Sequence, residues 1–217
     1  MTDGARCQFV SRAGEKLAGA LDAFGLDVAG LTCADFGCNV GGFTDCLLQR
    51  GAARVYAVDT GYGTLAWKLR NSDRVVVMER TNALYCDVPE PVDLVAIDVG
   101  WTPQSLVVPA AARWLKRPEH GGGRIVSLLK PHYELAKASG TKPHRALRDD
   151  EARDVCLAVC GQLAAAGREV RAVATSPLRG KGGNAEFLLL LAPASAGPGA
   201  RAPTNGQGLV DAFGRSK

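Results

Sequence analysis

Apolar residues along this chain fall in short dense runs separated by amphipathic stretches. Leu31 to Phe36, Arg54 to Val58, Val75 to Met78, Leu94 to Ile97 and Ile125 to Leu129 are rich in β-branched and aliphatic residues. Runs of that kind suit strands buried on both faces of a parallel sheet. Between them the spacing turns helical: Leu106, Val107, Ala110, Ala111, Trp114 and Leu115 recur on one face, as do Val155, Val159 and Leu163 with Cys156 and Cys160. Two further strands are predicted near Glu169 to Thr175 and Glu186 to Leu191. Their connection, Ser176 to Asn184, is too short for a crossover helix, so this pair reads as an antiparallel hairpin. The pattern predicts an α/β fold: a Rossmann-like, seven-stranded, mostly parallel sheet with a C-terminal antiparallel hairpin and helices on both faces.

Ahead of the sheet, Ser11 is placed to cap a helix over residues 11–24 whose apolar face is Leu17, Ala20, Leu21 and Phe24, with Gly25 ending it. The packed unit is expected over residues 1–192. Beyond it, residues 193–217 form an Ala-, Gly- and Pro-rich tail, in which Leu209, Val210 and Phe213 are able to dock as a short turn.

At 217 residues, one domain with a substantial core is expected. The longest apolar stretch, Phe187 to Ala192, is far below the ~18 residues that cross a bilayer. No secretory leader is read at the start, so a cytoplasmic protein is expected. A net charge of +4 permits a polyanionic partner without demanding one. The seven cysteines show no C-x-x-C spacing, and His120, His132 and His144 are scattered, so no metal site is expected.

Candidate chemistry begins where the first strand ends, in Asp35-Phe36-Gly37-Cys38-Asn39-Val40-Gly41-Gly42-Phe43. Glycines there let the backbone turn sharply and approach a ligand closely. The loop lacks the G-x-G-x-x-G spacing of dinucleotide sites; Asp-x-Gly-x-x-x-Gly-Gly followed by an aromatic is a methyltransferase pattern. The second strand ends at Asp59, where a carboxylate accepts hydrogen bonds from both ribose hydroxyls of an adenosine or else caps a turn. The third ends near Asn82, placed either for an adenine edge or as a plain turn residue.

Ser11-Arg12-Ala13-Gly14-Glu15-Lys16-Leu17, Gly41 to Asp45, Ile97-Asp98, Leu129-Lys130-Pro131 and Asn184 to Phe187 resemble the motifs of FtsJ-like RNA 2′-O-methyltransferases. With Gly42 to Ala52, Leu65 to Arg70 and Arg80 to Ala83, the likeness is to the haemolysin A-type ribosomal RNA methyltransferases, from about Phe9 to Leu191. The resemblance implies S-adenosylmethionine as donor and ribosomal RNA as partner. It also implies a tetrad mapped onto Lys16, Asp98, Lys130 and Glu186, and donor binding by Asp35, Gly37, Cys38, Gly41, Gly42, Phe43, Asp59, Asn82 and Asp98.

Sheet topology agrees with that mapping. Asp98 and Lys130 lie at carboxyl ends of parallel strands, and Glu186 opens a strand running the other way, so all three meet at one edge. Lys130 is expected as general base oriented by Asp98, with Lys16 stabilising the alkoxide and Glu186 holding Lys16. A lysine must be neutral to accept a proton; if it stays charged, the amines act electrostatically and positioning carries the rate.

Some stretches depart from the haemolysin A-type pattern. Cys38-Asn39-Val40 stands for Ala-Ser-Thr, Gly100-Trp101-Thr102-Pro103 for Ser-Phe-Ile-Ser, and His132-Tyr133 for Gln-Phe. Trp101 reads as a stacking platform for an extruded base or as a loop anchor. The S4-type segment of that family is not recognised here, so RNA affinity is expected from the catalytic domain or a partner. Arg6, Arg12, Lys137, Lys142, Arg145, Arg179 and Lys181 are candidate phosphate contacts. A methyltransferase for a small molecule or peptide and a non-catalytic RNA-binding protein stay open as alternatives.

Overall fold

The computed structural model describes residues 8–141 and 145–192. Arg6, Lys142, His144 and the whole 193–217 tail lie outside the described residues.

The strands are β1 (Thr32–Phe36), β2 (Arg54–Val58), β3 (Val75–Met78), β4 (Leu94–Ile97), β5 (Arg124–Leu129), β6 (Glu169–Thr175) and β7 (Phe187–Ala192). They form one sheet in the order β3-β2-β1-β4-β5-β7-β6, parallel except where β7 runs against β5 and β6. Successive strand residues point to opposite faces. Ala34, Phe36, Tyr56, Val58, Val95 and Ile97 join one core cluster, while Cys33, Val55, Ala57, Leu94 and Ala96 join the other.

The helices are α1 (Ala13–Ala23), α2 (Gly42–Gln49), α3 (Trp67–Arg70), α4 (Gln104–Ala112), α5 (Pro131–Ser139) and α6 (Asp149–Ala165). Residues of α1, α2 and α3 pack into the second cluster, those of α4 and α6 into the first, so both faces are covered. Trp114, just beyond α4, anchors the first cluster with its ring edge-on to Phe36 at 5.2 Å and to Tyr56 at 6.0 Å. No helix of the described residues is long and apolar enough to cross a membrane.

The start of α1 differs from expectation. Arg12 is already helical, at φ −58°, and takes the N-cap position without any side-chain cap. Ser11 contributes its carbonyl, which accepts the Gly14 N–H at 3.1 Å, and its hydroxyl lies against Gly42 instead. The helix closes as expected, with Gly25 left-handed at φ +60°. The segment leading into α1 is tied to α2 by Asp45. Its buried carboxylate accepts the Val10 N–H at 2.8 Å and pairs with Lys68 at 3.0 Å.

Candidate active site

Between β1 and β4 the chain reverses its direction of growth across the sheet, and the carboxyl ends of these strands part. Open α/β sheets place ligands in the crevice so formed. Gly37 and Asp98 line it from the two sides and approach closely: a Cβ on Gly37 would lie 2.6 Å from the Asp98 carbonyl oxygen. Gly37 also sits at φ +83°, a conformation most side chains avoid. Gly37→Ala is therefore expected to cost at least about 2 kcal/mol of stability and to weaken donor binding. Chemical denaturation and calorimetry check both, and unchanged values would contradict the close approach.

The crevice continues as a cleft in two halves that share Gly37, Asn39, Asp98 and Gly100. One half, about 270 Å³, is lined by Asp59, Thr60, Thr81 and Asn82 at the ends of β2 and β3. The other, about 320 Å³, is lined by Ser11, Asp35, Cys38, Phe43, Lys130 and Tyr133. Gly41, at φ +99°, starts α2, and a Cβ there would strike the Leu65 and Leu69 side chains.

Asp59 ties this cleft together. Its carboxylate accepts the Asn39 N–H at 2.8 Å and the Gly61 N–H at 2.7 Å, so the first loop hangs from the end of β2. A carboxylate offers about four lone-pair positions, which leaves room for further donors. Asn82 faces the cleft, but its side-chain carbonyl accepts the Leu84 N–H at 3.0 Å: the turn role is present, and the amide nitrogen is what a ligand would meet.

Asp35 is fully buried. One carboxylate oxygen accepts both the Thr44 N–H at 2.9 Å and its hydroxyl at 2.7 Å. The other, Oδ1, is buried with no hydrogen-bond partner among the described residues. Burial pushes the Asp35 carboxyl up to about 7; the Thr44 hydrogen bonds oppose this, and the charges of Asp98 and Asp59 add to it. An orphaned acceptor beside a ligand cleft calls for a cationic donor. S-adenosylmethionine carries such a group in its ammonium, and its adenosine would suit the half lined by Asp59 and Asn82. The residues present fit it.

At the same edge, Lys130 at the end of β5 donates to Asp98 Oδ1 at 2.5 Å and to the Val99 carbonyl at 3.3 Å. Lys16 from α1 donates to Glu186 Oε2, also at 2.5 Å, and this pair is nearly sealed, at 12% and 3% side-chain exposure. Leu129 and Phe187 form the last rung between β5 and β7, so Lys130 and Glu186, each one residue beyond, are neighbours across that edge. The two ion pairs are thus carried by neighbouring strand ends, and Lys130 and Asp98 line the cleft. Gly180 explains itself here, since a Cβ on it would collide with the Glu186 carboxylate.

Several side chains act in ways the sequence did not disclose. Trp101 stacks on Tyr133 with ring centroids 4.3 Å apart and planes 29° apart, yet remains 43% exposed. Burial and the neighbouring Lys130 hold the His132 imidazole low, toward its neutral form. Burial pushes the Cys38 thiol up, so it faces the cleft uncharged. Two candidate phosphate contacts are already engaged: Arg179 holds Asp149 at 2.9 and 2.8 Å, and Arg145 holds Glu151 at 2.8 and 2.7 Å. Among the described residues no group of His, Cys, Asp or Glu is arranged to hold a metal.

This sheet order and the cleft at its switch point define a Rossmann-like class I methyltransferase. The family model for FtsJ-like methyltransferases matches residues 9–192, and the chain belongs to that family, with S-adenosylmethionine as its donor. It is 44% identical over 197 residues to the 16S/23S rRNA (cytidine-2′-O)-methyltransferase TlyA of Mycobacterium tuberculosis, covering 88% of this chain and 70% of the relative. It is 36% identical to hemolysin A of Brachyspira hyodysenteriae, covering 83% of this chain and 75% of that one. A Streptococcus thermophilus structure described as a hemolysin superposes with a TM-score of 0.80 at 34% identity, over 96% of this chain and 75% of that one.

Proposed function

We propose that this methyltransferase modifies a ribose 2′-hydroxyl of ribosomal RNA, a cytoplasmic reaction carried out by the unit spanning residues 1–192. What supports the reading is two lysine–carboxylate pairs, Lys130 with Asp98 and Lys16 with Glu186, carried by neighbouring strand ends at one edge of the sheet.

Bound S-adenosylmethionine supplies an electrophilic methyl group on a sulfonium. The protein's own residues do the rest. Asp35 holds the donor's ammonium, Asp59 its ribose hydroxyls, and the Asn82 amide its adenine edge. Gly37, Cys38, Gly41, Gly42 and Phe43 supply the close-fitting backbone and wall. Once Lys130 has shed its own proton, its amine accepts that of the attacking 2′-hydroxyl, and Asp98 offsets the ammonium charge that results. The donor would supply its methyl group to that oxygen, the C–S electron pair leaving with sulfur. Lys16, fixed by Glu186, offsets the negative charge that develops on the ribose oxygen. Arg12, exposed beside Ser11 at the cleft mouth, is placed to meet a phosphate. Trp101 offers an aromatic face to an unstacked base.

The test is incubation with labelled donor and, in parallel, ribosomal subunits, free ribosomal RNA, a protein fraction and a metabolite fraction. Label is expected in RNA, and after alkaline hydrolysis it stays in a dinucleotide, because a methylated 2′-oxygen no longer attacks the neighbouring phosphate. Label retained in the protein or metabolite fraction, with none in RNA, overturns the reading.

A further inference from the structure

Three residues of one helical turn hold the loop that borders both halves of the cleft. Lys130, Tyr133 and Glu134 are spaced so that they share a face at the start of α5. Lys130 donates to the Val99 carbonyl at 3.3 Å, Tyr133 stacks on Trp101, and Glu134 Oε1 accepts the Gln104 N–H at 2.8 Å. The loop between β4 and α4 is therefore fastened at its beginning, middle and end.

The third tie is the unusual one. A helix start leaves backbone N–H groups without intrahelical partners, normally met by a side chain at the N-cap. Here the N-cap of α4 is Pro103, which supplies no side-chain hydrogen bond. Glu134 takes over that duty from another helix, and a carboxylate is well matched to the positive end of α4. The Gln104 side chain secures the same point from within, accepting the Ser127 hydroxyl at 2.6 Å and donating to the Leu128 carbonyl at 3.4 Å. Midway along this loop, Trp101 sits at φ +62°, a left-handed conformation that a bulky aromatic residue adopts only when its surroundings impose it.

Resting on the reading above, we infer that Glu134 is a positioning residue. By fastening the start of α4 to α5 it holds the Val99–Pro103 loop and the strained Trp101 in place, and so sets the wall that this loop gives to both halves of the cleft without itself lining either.

The experiment compares wild type, Glu134→Ala and Glu134→Gln, the last keeping an oxygen that accepts the Gln104 N–H. Hydrogen exchange of the 99–104 amides, donor affinity by calorimetry, and KM and kcat on ribosomal RNA are measured. In Glu134→Ala, exchange at Gln104 and KM for RNA are each expected to rise about tenfold or more, the scale of one charge-assisted hydrogen bond. Donor affinity is expected to fall by a smaller factor, because Val99, Gly100 and Thr102 of the loop line the donor's half, and Glu134→Gln to recover most of each loss. Unchanged loop exchange in Glu134→Ala, or a loosened loop with unchanged KM, overturns the inference. So does an equal loss of donor and RNA binding, which marks general destabilisation. Failure of the wild type to methylate RNA sinks the acceptor assignment instead, and the exchange comparison then decides the latch by itself.

Discussion

Lys130→Ala is expected to lower single-turnover methyl transfer by about 10²- to 10⁴-fold, the usual worth of a positioned proton acceptor. Donor affinity is expected not to weaken. Removing the amine leaves the Asp98 carboxylate, formerly 2.5 Å from it, facing a cleft that receives a cationic donor. The loss therefore belongs to kcat. Lys16→Ala is a different lesion, because it strands Glu186, 3% exposed, as a buried charge with no counterion, and destabilises the fold as well as the reaction. Rapid-quench transfer and isothermal titration on the two variants separate these outcomes. A Lys130→Ala enzyme that turns over within tenfold of wild type removes Lys130 from the chemistry.

The second large effect is read in stability against pH. With Asp35 raised from its ordinary 3.8 to about 7, folded and unfolded chains are both protonated there below about pH 4. Between that point and about 7 the unfolded chain has ionised while the folded one keeps its proton. Unfolding then releases a proton, and this contribution to stability declines as pH rises, by on the order of 4 kcal/mol in full. Asp35→Asn keeps an oxygen for Thr44 and has nothing to ionise, so it is expected to lose this slope and to be more stable than wild type at pH 8. It is also expected to bind the donor at least about tenfold more weakly, having given up the partner for an ammonium. In wild type, donor affinity is expected to rise with pH up to about 7 and then level off. Denaturant melts of both proteins from pH 4 to pH 9, with and without donor, check each sign. Parallel stability profiles would show that Asp35 does not titrate in this window.

The strands were readable because burial on both faces leaves dense apolar runs; β2, β3, β4 and β6 have the predicted boundaries. The hairpin followed from the short connection between β6 and β7, and it alone places Glu186 at the working edge. α5 was not foreseen: Pro131, His132 and Tyr133 carry no helical apolar stripe, and its start is organised by Lys130 and Glu134 reaching across to another loop. Capping by Glu134 was out of sight for the same reason, since it joins positions 30 apart. Ser11 misled because its local fitness as a cap gave way to packing against Gly42. Nor does a sequence show that one oxygen of Asp35 is satisfied and the other is not; only the packing around Thr44 decides that.

Lys16 and Glu186 stand 170 positions apart, and the ion pair forms only once both the helix and the strand that carry them are in place. A ribosome making this polypeptide must release almost all of the catalytic unit before that contact can close. That contact is completed only near the end of synthesis, on the particle whose RNA the enzyme is read to modify.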